Sequence, residues 1–512
     1  MAEQDDVIAF LSDPATHGGA EVNTVETHGA FVFLAGDNAL KVKRDVAYDY
    51  MDFSTLESRE TMLRRELDLN RPAAPEIYRD VVPVTRDGDG LALNGDGEPV
   101  EWVLRMSRFD TEDELSRVAE RGELSDDLAD ALGSVVAGYH RDAPRRDADG
   151  ATLIAEIVDE LATAFDRMRH ELGSDEVDVF IARLRAEHAT QAALLTRRGE
   201  AGRVRRCHGD LHLRNLVLIE GRPVPFDALE FDETLGTCDV LYDLAFLLMD
   251  LRHRGLGAQA NRTLNAWLRE SDEADDAGLA ALPLFLAVRA AIRAMVDVQT
   301  DAAAGHEGQS TDDARAYLAE AIGDLAPRAP RLVAVGGLSG TGKTTVARGL
   351  APHVGAGVGA VHLRSDVERK RLAGVDPLTR LSPDAYDSAS AAQVYDRLSG
   401  RAAALLAAGQ SVVIDATCLD PGERDALRRL AEGAEVPFTG LWLEADAEVL
   451  ARRVSDRHGD ASDADAEVVA KQAERDIGPL DWERVDAGGP PETVIAAARA
   501  RLPFDQDLGG SS

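Results

Sequence analysis

What this chain has little of limits it first. Among 512 residues there are three cysteines, Cys207, Cys238 and Cys418, too far apart for a metal knuckle or a disulfide framework. That usage points to a reduced, cytoplasmic protein. No apolar run reaches the ~18 residues that a membrane span needs, and the acidic start MAEQDDVIAFLSD lacks a secretory pattern. Only five lysines are present, at 41, 43, 343, 370 and 471, so arginine carries nearly all other positive charge. A lysine is a compact point charge and an arginine a planar fork, so each lysine marks a place to inspect. Positive charge is scarce altogether: 56 basic residues face 92 acidic ones, for a net charge of −36. From Arg331 onward 21 basic and 28 acidic residues give −7, which leaves −29 for the first 330 residues. Such a front half repels nucleic acid and anionic membranes. A salt-rich cytoplasm and compositional bias account for the acidity equally well.

What is there begins with Leu332–Ala347, LVAVGGLSGTGKTTVA. An apolar strand-like run enters a Gly-rich turn and then a helix pattern, around a complete G-x-x-x-x-G-K-T match from Gly337 to Thr344. Glycines let backbone N–H groups close on phosphate oxygens, and the helix N-terminus favours the anion. Gly337, Ser339, Gly340, Thr341, Gly342, Lys343, Thr344 and Thr345 are therefore the expected phosphate cradle. Lys343 is expected to reach the β- and γ-phosphates of ATP and Thr344 to bind Mg²⁺.

Ahead of it, residues 22–44 read as strands, with a Gly36-Asp37-Asn38 turn and an alternating Ala39–Lys43 that puts Lys41 and Lys43 on one face. Phosphate binding and gatekeeping of an exposed edge strand explain that pair equally. Ser54–Asn70 reads as a helix capped by Ser54 with Glu57 and ended by Pro72. Glu101–Met106 reads as a strand, and residues 111–196 as mostly helical. Cys207-His-Gly-Asp210-Leu-His-Leu-Arg-Asn215 then precedes a short hairpin that ends at Asp227. One carboxylate, one carboxamide and a returning second carboxylate form the set phosphoryl transfer needs, with oxygen ligands for Mg²⁺. His208 and His212 read as loop residues that bond backbone, and His140 and His170 as helix-surface residues. Asp239–Leu251 and Ala280–Val298 are apolar enough to be core helices.

His-Gly-Asp-x-x-x-x-Asn at 208–215, Asp227 and Asp243-Leu-Ala together resemble the aminoglycoside phosphotransferase and choline kinase superfamily, small-molecule relatives of the protein kinases. The resemblance covers roughly residues 20–300 and implies a bilobal kinase-like fold. It implies that Asp210 is the catalytic base, that Asn215 and Asp227 hold Mg²⁺, and that Asp243 braces the catalytic loop. Lys41 or Lys43 would position phosphate, paired with Glu66, and Glu101–Met106 would be the adenine hinge. The chain departs from a kinase pattern in having no G-x-G-x-x-G before the lysine strand, only Gly29.

After the P-loop, strands at 359–363, 411–414 and 439–443 end at Asp366, Asp415 and Glu444, with helical stretches between. This alternation gives a parallel sheet with ligands at its strand ends. The P-loop, Ser365-Asp366-x-x-Arg369, Val413-Ile-Asp415-Ala-Thr417 and Arg452-Arg453-x-x-x-Arg457 resemble the small P-loop kinases of the gluconate kinase, zeta-toxin and polynucleotide kinase kind. The resemblance implies that Asp366 is the base and Arg369 holds the acceptor. Asp415 would stand near Mg²⁺, and Arg453 and Arg457 would close on the transferring phosphate.

The expected organisation is a kinase-like domain over residues 1–328 (small lobe about 20–105, large lobe about 106–325) and a P-loop kinase domain over 329–512. The expected activity is transfer of the γ-phosphoryl group of ATP, with Mg²⁺, to small hydroxylated acceptors at each module. Two alternatives stand beside it: a regulatory protein in which one module senses ATP and gates the other, and a nucleic-acid or nucleotide kinase in the back half. The Arg364, Arg369, Lys370, Arg371 cluster motivates the last, while the charge of the front half and the missing aromatic series disfavour it.

Overall fold

Alternating side chains and short turns build the first sheet. The computed structural model describes residues 2–48, 51–88, 90–304, 311–327, 329–456 and 461–503. In it, Val22–Glu26, Ala30–Ala35 and Asn38–Lys43 form an antiparallel meander that continues through Glu98–Ser107 to Tyr78–Asp87 and Gly90–Leu93, a six-stranded sheet. Because strand side chains alternate, Leu40 and Val42 face one core, shared with Val7 and Leu11 of the N-terminal helix Ala2–Ser12. Lys41 and Lys43 face the opposite side, towards the helix Leu56–Asn70. That helix starts one residue later than its sequence pattern predicts. Thr55, not Ser54, is the N-cap, its hydroxyl accepting from Ser58 N at 3.1 Å.

The described chain divides into two compact units, but not at residue 328. One comprises the residues up to Ile157 together with Ala192–Leu251; the other comprises Val158–Gln191 and the residues from Arg252 onward. The first holds the six-stranded sheet, the 208–215 segment and the hairpin Leu216–Ile219/Arg222–Pro225.

In the second unit a five-stranded, wholly parallel sheet runs in the spatial order Val361–Arg364, Val412–Asp415, Leu332–Gly337, Phe438–Glu444, Glu483–Asp486. Its central strand Leu332–Gly337 is buried throughout and packs on the helix Lys343–Leu350 through Val346, Ala347 and Leu350. Continuous apolar strands are what a sheet covered on both faces requires. The stretch Ala274–Ala302, which contains the expected core helix Ala280–Val298, is long and apolar enough to cross a membrane by length and composition. Yet 67% of its most apolar window is buried inside the protein, as in a core helix.

In the same unit His253 bridges two carboxylates of the helix Thr311–Asp324, with Nδ1 3.0 Å from Glu320 and Nε2 3.1 Å from Asp313, and its ring stacks on Tyr317 at 3.6 Å. Burial disfavours the charged ring, but Glu320 and Asp313 outweigh it and raise the His253 pKa. A raised folded-state pKa stabilises fully below the unfolded value of about 6.5 and is lost as pH rises through the folded value. Amide protection of residues 311–324, corrected for intrinsic exchange, is therefore expected to fall as pH rises above neutrality. In His253→Gln that dependence should vanish, as hydrogen exchange at several pH values would show.

Candidate active sites

The first site is assembled on charge alternation. Lys41 Nζ donates to Glu66 Oε1 at 2.7 Å and to Asp227 Oδ1 at 3.0 Å. Lys43 Nζ donates to the other oxygen of Glu66 at 2.7 Å and to Glu230 Oε1 at 2.5 Å. Five charges thus alternate in sign from Asp227 to Glu230, with Glu66 fully buried at the centre. Period two on the strand points both lysines to this face, and the helix Leu56–Asn70 supplies Glu66. The two lysines that the sequence left as alternatives hold different places: Lys41 meets Asp227, while Lys43 lies deeper, 3% exposed. Burial opposes the Lys41 charge, but Asp227, Glu66 and Glu230 outweigh it and raise its pKa well above the usual value. Asp227 is lowered in turn, chiefly by Lys41.

The 208–215 segment is held from behind. Asp243 accepts from Gly209 N at 2.9 Å through Oδ1 and from His208 N at 3.2 Å through Oδ2, and His140 Nε2 lies 3.1 Å from that same Oδ2. His140 is therefore buried in this network and not on a helix surface, as its sequence context implied. Asn215 Nδ2 donates at 2.9 Å to both the backbone and the side-chain carboxylate of Asp210. His208 Nε2 meets Phe226 O at 2.9 Å and ties the loop to the residue before Asp227. Asp227 has a φ of 58°, a left-handed conformation that costs a non-glycine residue energy and persists where surroundings enforce it. Here Asp227 N donates to the Tyr78 hydroxyl at 3.0 Å and the next amide to Asn70 Oδ1 at 2.8 Å. Asp210, Asn215 and Asp227 so converge, close enough for the Asp210 charge to act on Asp227.

The second site is built on the P-loop. Gly337 (φ 137°) and Gly340 (φ 85°) have no room for a side chain: a Cβ would meet Leu443 O at 2.6 Å and Leu450 O at 2.8 Å respectively. Lys343 Nζ donates to Leu338 O at 3.0 Å, and Thr344 Oγ1 to Asp415 Oδ2 at 2.5 Å. A cavity of about 800 Å³ is bordered by Lys343, Thr344, Asp366, Arg369, Asp415 and Arg453. Ser339, Gly340, Gly342 and Thr345 also reach it, while Thr341 is buried behind the loop, bonded to Leu338 O. Burial and the Asp415 charge raise the Asp366 carboxyl. Asp415 is held far below the usual range: burial opposes its charge, but His362, Arg364 and Lys343 outweigh it. The Arg369 guanidinium stacks 4.7 Å over Tyr386.

Some predicted residues lie elsewhere. Arg457 is outside the described residues. Glu444 is engaged by Arg484 at 2.8 Å and does not border the cavity. Glu101, placed in the expected hinge, is buried mid-strand against Arg59 and Gln4. The basic cluster is largely neutralised inside the protein: Lys370, 1% exposed, meets Asp463 at 2.5 Å, and Arg371 meets Glu368 at 3.2 Å. Glu230 and Glu368 carried no motif, so nothing in the sequence singled them out.

A model of the phosphotransferase enzyme family matches residues 57–282, and an AAA domain model matches residues 332–476. An uncharacterised protein of Mycobacterium tuberculosis is 32% identical over 491 residues, covering 93% of this chain and 94% of the relative. An uncharacterised protein of Mycobacterium bovis aligns with the same figures. The chain belongs to one family with these mycobacterial proteins. In it a phosphotransferase-family domain precedes a P-loop domain, and its activity class is ATP-dependent phosphoryl transfer. Among solved structures, amicoumacin kinase hAmiN in complex with AMP-PNP, Ca²⁺ and Ami is 14% identical, covering 62% of this chain and 93% of that one, with a TM-score of 0.41. A gluconokinase from Sinorhizobium meliloti 1021 is 23% identical, covering 36% of this chain and all of that one (100%), with a TM-score of 0.26.

The two lysines of the phosphotransferase module should separate in the laboratory. Lys43→Ala leaves two buried carboxylates facing each other and is expected to cost about 3–5 kcal/mol of stability. Lys41→Ala, nearer solvent, should reduce ATP turnover strongly with a smaller loss of stability. Denaturant unfolding beside turnover measurements on both variants checks the split.

Proposed function

We propose that the chain carries two separate Mg²⁺-ATP phosphotransferase sites, each passing the γ-phosphoryl group to a hydroxyl of a small molecule. The reading rests on the placement of Lys41 between Glu66 and Asp227, with Asp210 close enough for its charge to act on Asp227. In that geometry Lys41 is free to exchange a carboxylate oxygen for a phosphate oxygen while Glu66 keeps it aimed. Asp210, oriented by Asn215, is the group that accepts the proton of the attacking hydroxyl. In the P-loop module, turned-in amides and Lys343 bind the phosphates, Asp366 orients the acceptor hydroxyl, Arg369 holds the acceptor, and Arg453 offsets charge that develops during transfer.

The donor sets suit magnesium. Asn215 and Asp227 in one module, Thr344 and Asp415 in the other, offer only hard oxygen atoms. The ion, when bound, draws charge from the phosphate oxygens. Asp415, held charged by its cationic neighbours, is ready to face a cation without first losing a proton. The raised Asp366 carboxyl suits the complementary task of taking a proton. Internal pairing of Lys370 and Arg371 withdraws the feature that favoured a nucleic-acid acceptor.

Full-length protein incubated with γ-labelled ATP and a small-metabolite extract should yield two sets of labelled products. Asp210→Ala is expected to lower one set by about a hundredfold or more, and Lys343→Ala the other. Loss of both sets in either single variant would favour a gating arrangement instead, and unchanged products in both would remove the reading.

A further inference from the structure

The strand Val361–Arg364 is at one edge of the parallel sheet, and it leads directly into Ser365–Leu372, the helix that carries Asp366 and Arg369. An edge strand leaves backbone N–H and C=O groups without a strand partner, and in a buried position they must be satisfied some other way. Here two asparagines of the helix Gly257–Glu270 do so. Asn261 Nδ2 donates to Val358 O at 2.8 Å and Ala360 O at 3.0 Å. Asn265 Nδ2 donates to Ala360 O at 3.2 Å, and its Oδ1 accepts from His362 N at 2.7 Å. Both asparagines are buried. The approach is close enough that a Cβ on Gly359 would meet Asn261 Nδ2 at 3.0 Å. Side-chain amides here take the place of a neighbouring strand.

A second set of contacts reaches the helix beyond the strand. Glu368, buried between Asp366 and Arg369 in sequence, accepts from Arg401 at 2.6 Å, Arg397 at 2.7 Å and Arg371 at 3.2 Å. Arg401 also grips Asp276 with both arms, Nε to Oδ2 at 2.8 Å and Nη2 to Oδ1 at 2.9 Å. Such a planar fork fixes direction as well as distance. Asp276 lies on the short helix Ala274–Gly278. Residues 257–278 fall inside the stretch matched by the phosphotransferase family, yet they belong to the same compact unit as the P-loop sheet.

We propose that residues 257–278 form the back wall of the P-loop site, with Asn265 and Asp276 as positioning residues that fix the strand-to-helix corner bearing Asp366 and Arg369. The functional arm of this proposal rests on the reading of Asp366 and Arg369 as acceptor-side groups; the structural arm does not. None of these bonds reaches Lys343 or Thr344, which follow the central strand two places away in the sheet. Nucleotide binding and phosphoryl transfer should therefore respond differently.

The test uses full-length Asn265→Ala and Asp276→Asn, each also carrying Asp210→Ala so that only the P-loop module turns over. Amide exchange across residues 361–372 is expected to quicken tenfold or more, with residues 332–337 and the N-terminal sheet unchanged. ATP affinity should move less than twofold, while transfer of label into the metabolite extract falls at least tenfold. Asp276→Glu, which keeps the carboxylate, should recover most of the transfer. Unchanged exchange at 361–372 in both variants would overturn the wall, and so would a uniform loss of protection across the whole unit. Faster exchange with full transfer would overturn the positioning roles. If the parent protein shows no transfer dependent on Lys343, the functional reading fails while the exchange arm still decides the wall.

Discussion

The chain of alternating charges Asp227–Lys41–Glu66–Lys43–Glu230 is the interaction on which the kinase-like module depends. Each of these groups would be expensive to bury alone, and together they neutralise one another along a line of contacts between 2.5 and 3.0 Å. The line crosses three pieces of the chain: a strand of the first sheet, the helix Leu56–Asn70 and the segment after the hairpin. It fixes their mutual placement more tightly than apolar packing would, because direction matters as well as contact. The same helix ends at Asn70, whose side chain bonds the amide after Asp227 and so helps to keep that residue in its left-handed conformation. Asp243 plays the corresponding part for the 208–215 segment by collecting two consecutive backbone amides.

Much of this was readable beforehand, for identifiable reasons. The P-loop, the 208–215 segment and the acidic strand ends Asp366 and Asp415 are local patterns whose spacing is set by turn and strand geometry, and the structure brings their described members into two places. The strand alternation around Lys41 and Lys43 put both on one face, but it carried no information on depth. Only the three-dimensional path of residues 227–230 distinguishes them. His140 looked peripheral because its partner is 103 positions away. The family resemblance placed Glu101 in the hinge, yet Arg59 and Gln4 claim it in the interior. Glu230, Glu368, Asn261 and Asn265 were invisible because a buried polar residue has no local signature; its meaning lies in what it faces.

Arginine and lysine divide the work in a way that composition only hinted at. Arginine supplies the forks: Arg401 on Asp276, Arg198 on Asp239, Arg105 on Asp80. Each is a planar donor meeting a carboxylate with two bonds. Lysine appears where one compact charge must serve partners in different directions, as Lys41, Lys43 and Lys370 do. In a strongly acidic chain this economy lets a small number of cations order many carboxylates.

That division has a chemical corollary. Acylating reagents and metabolic acyl donors attack an ε-amine that is uncharged and reachable. Lys43 and Lys370 are enclosed, Lys41 is 14% exposed and ion-paired, and Lys343 is folded back onto its own loop. Lys471, paired with Glu467 at 2.7 Å but 72% exposed at the rim of the P-loop cavity, is the lysine side chain most open to such electrophiles. Among the lysines, amine-directed probes will therefore report chiefly on this position, beside the P-loop cavity.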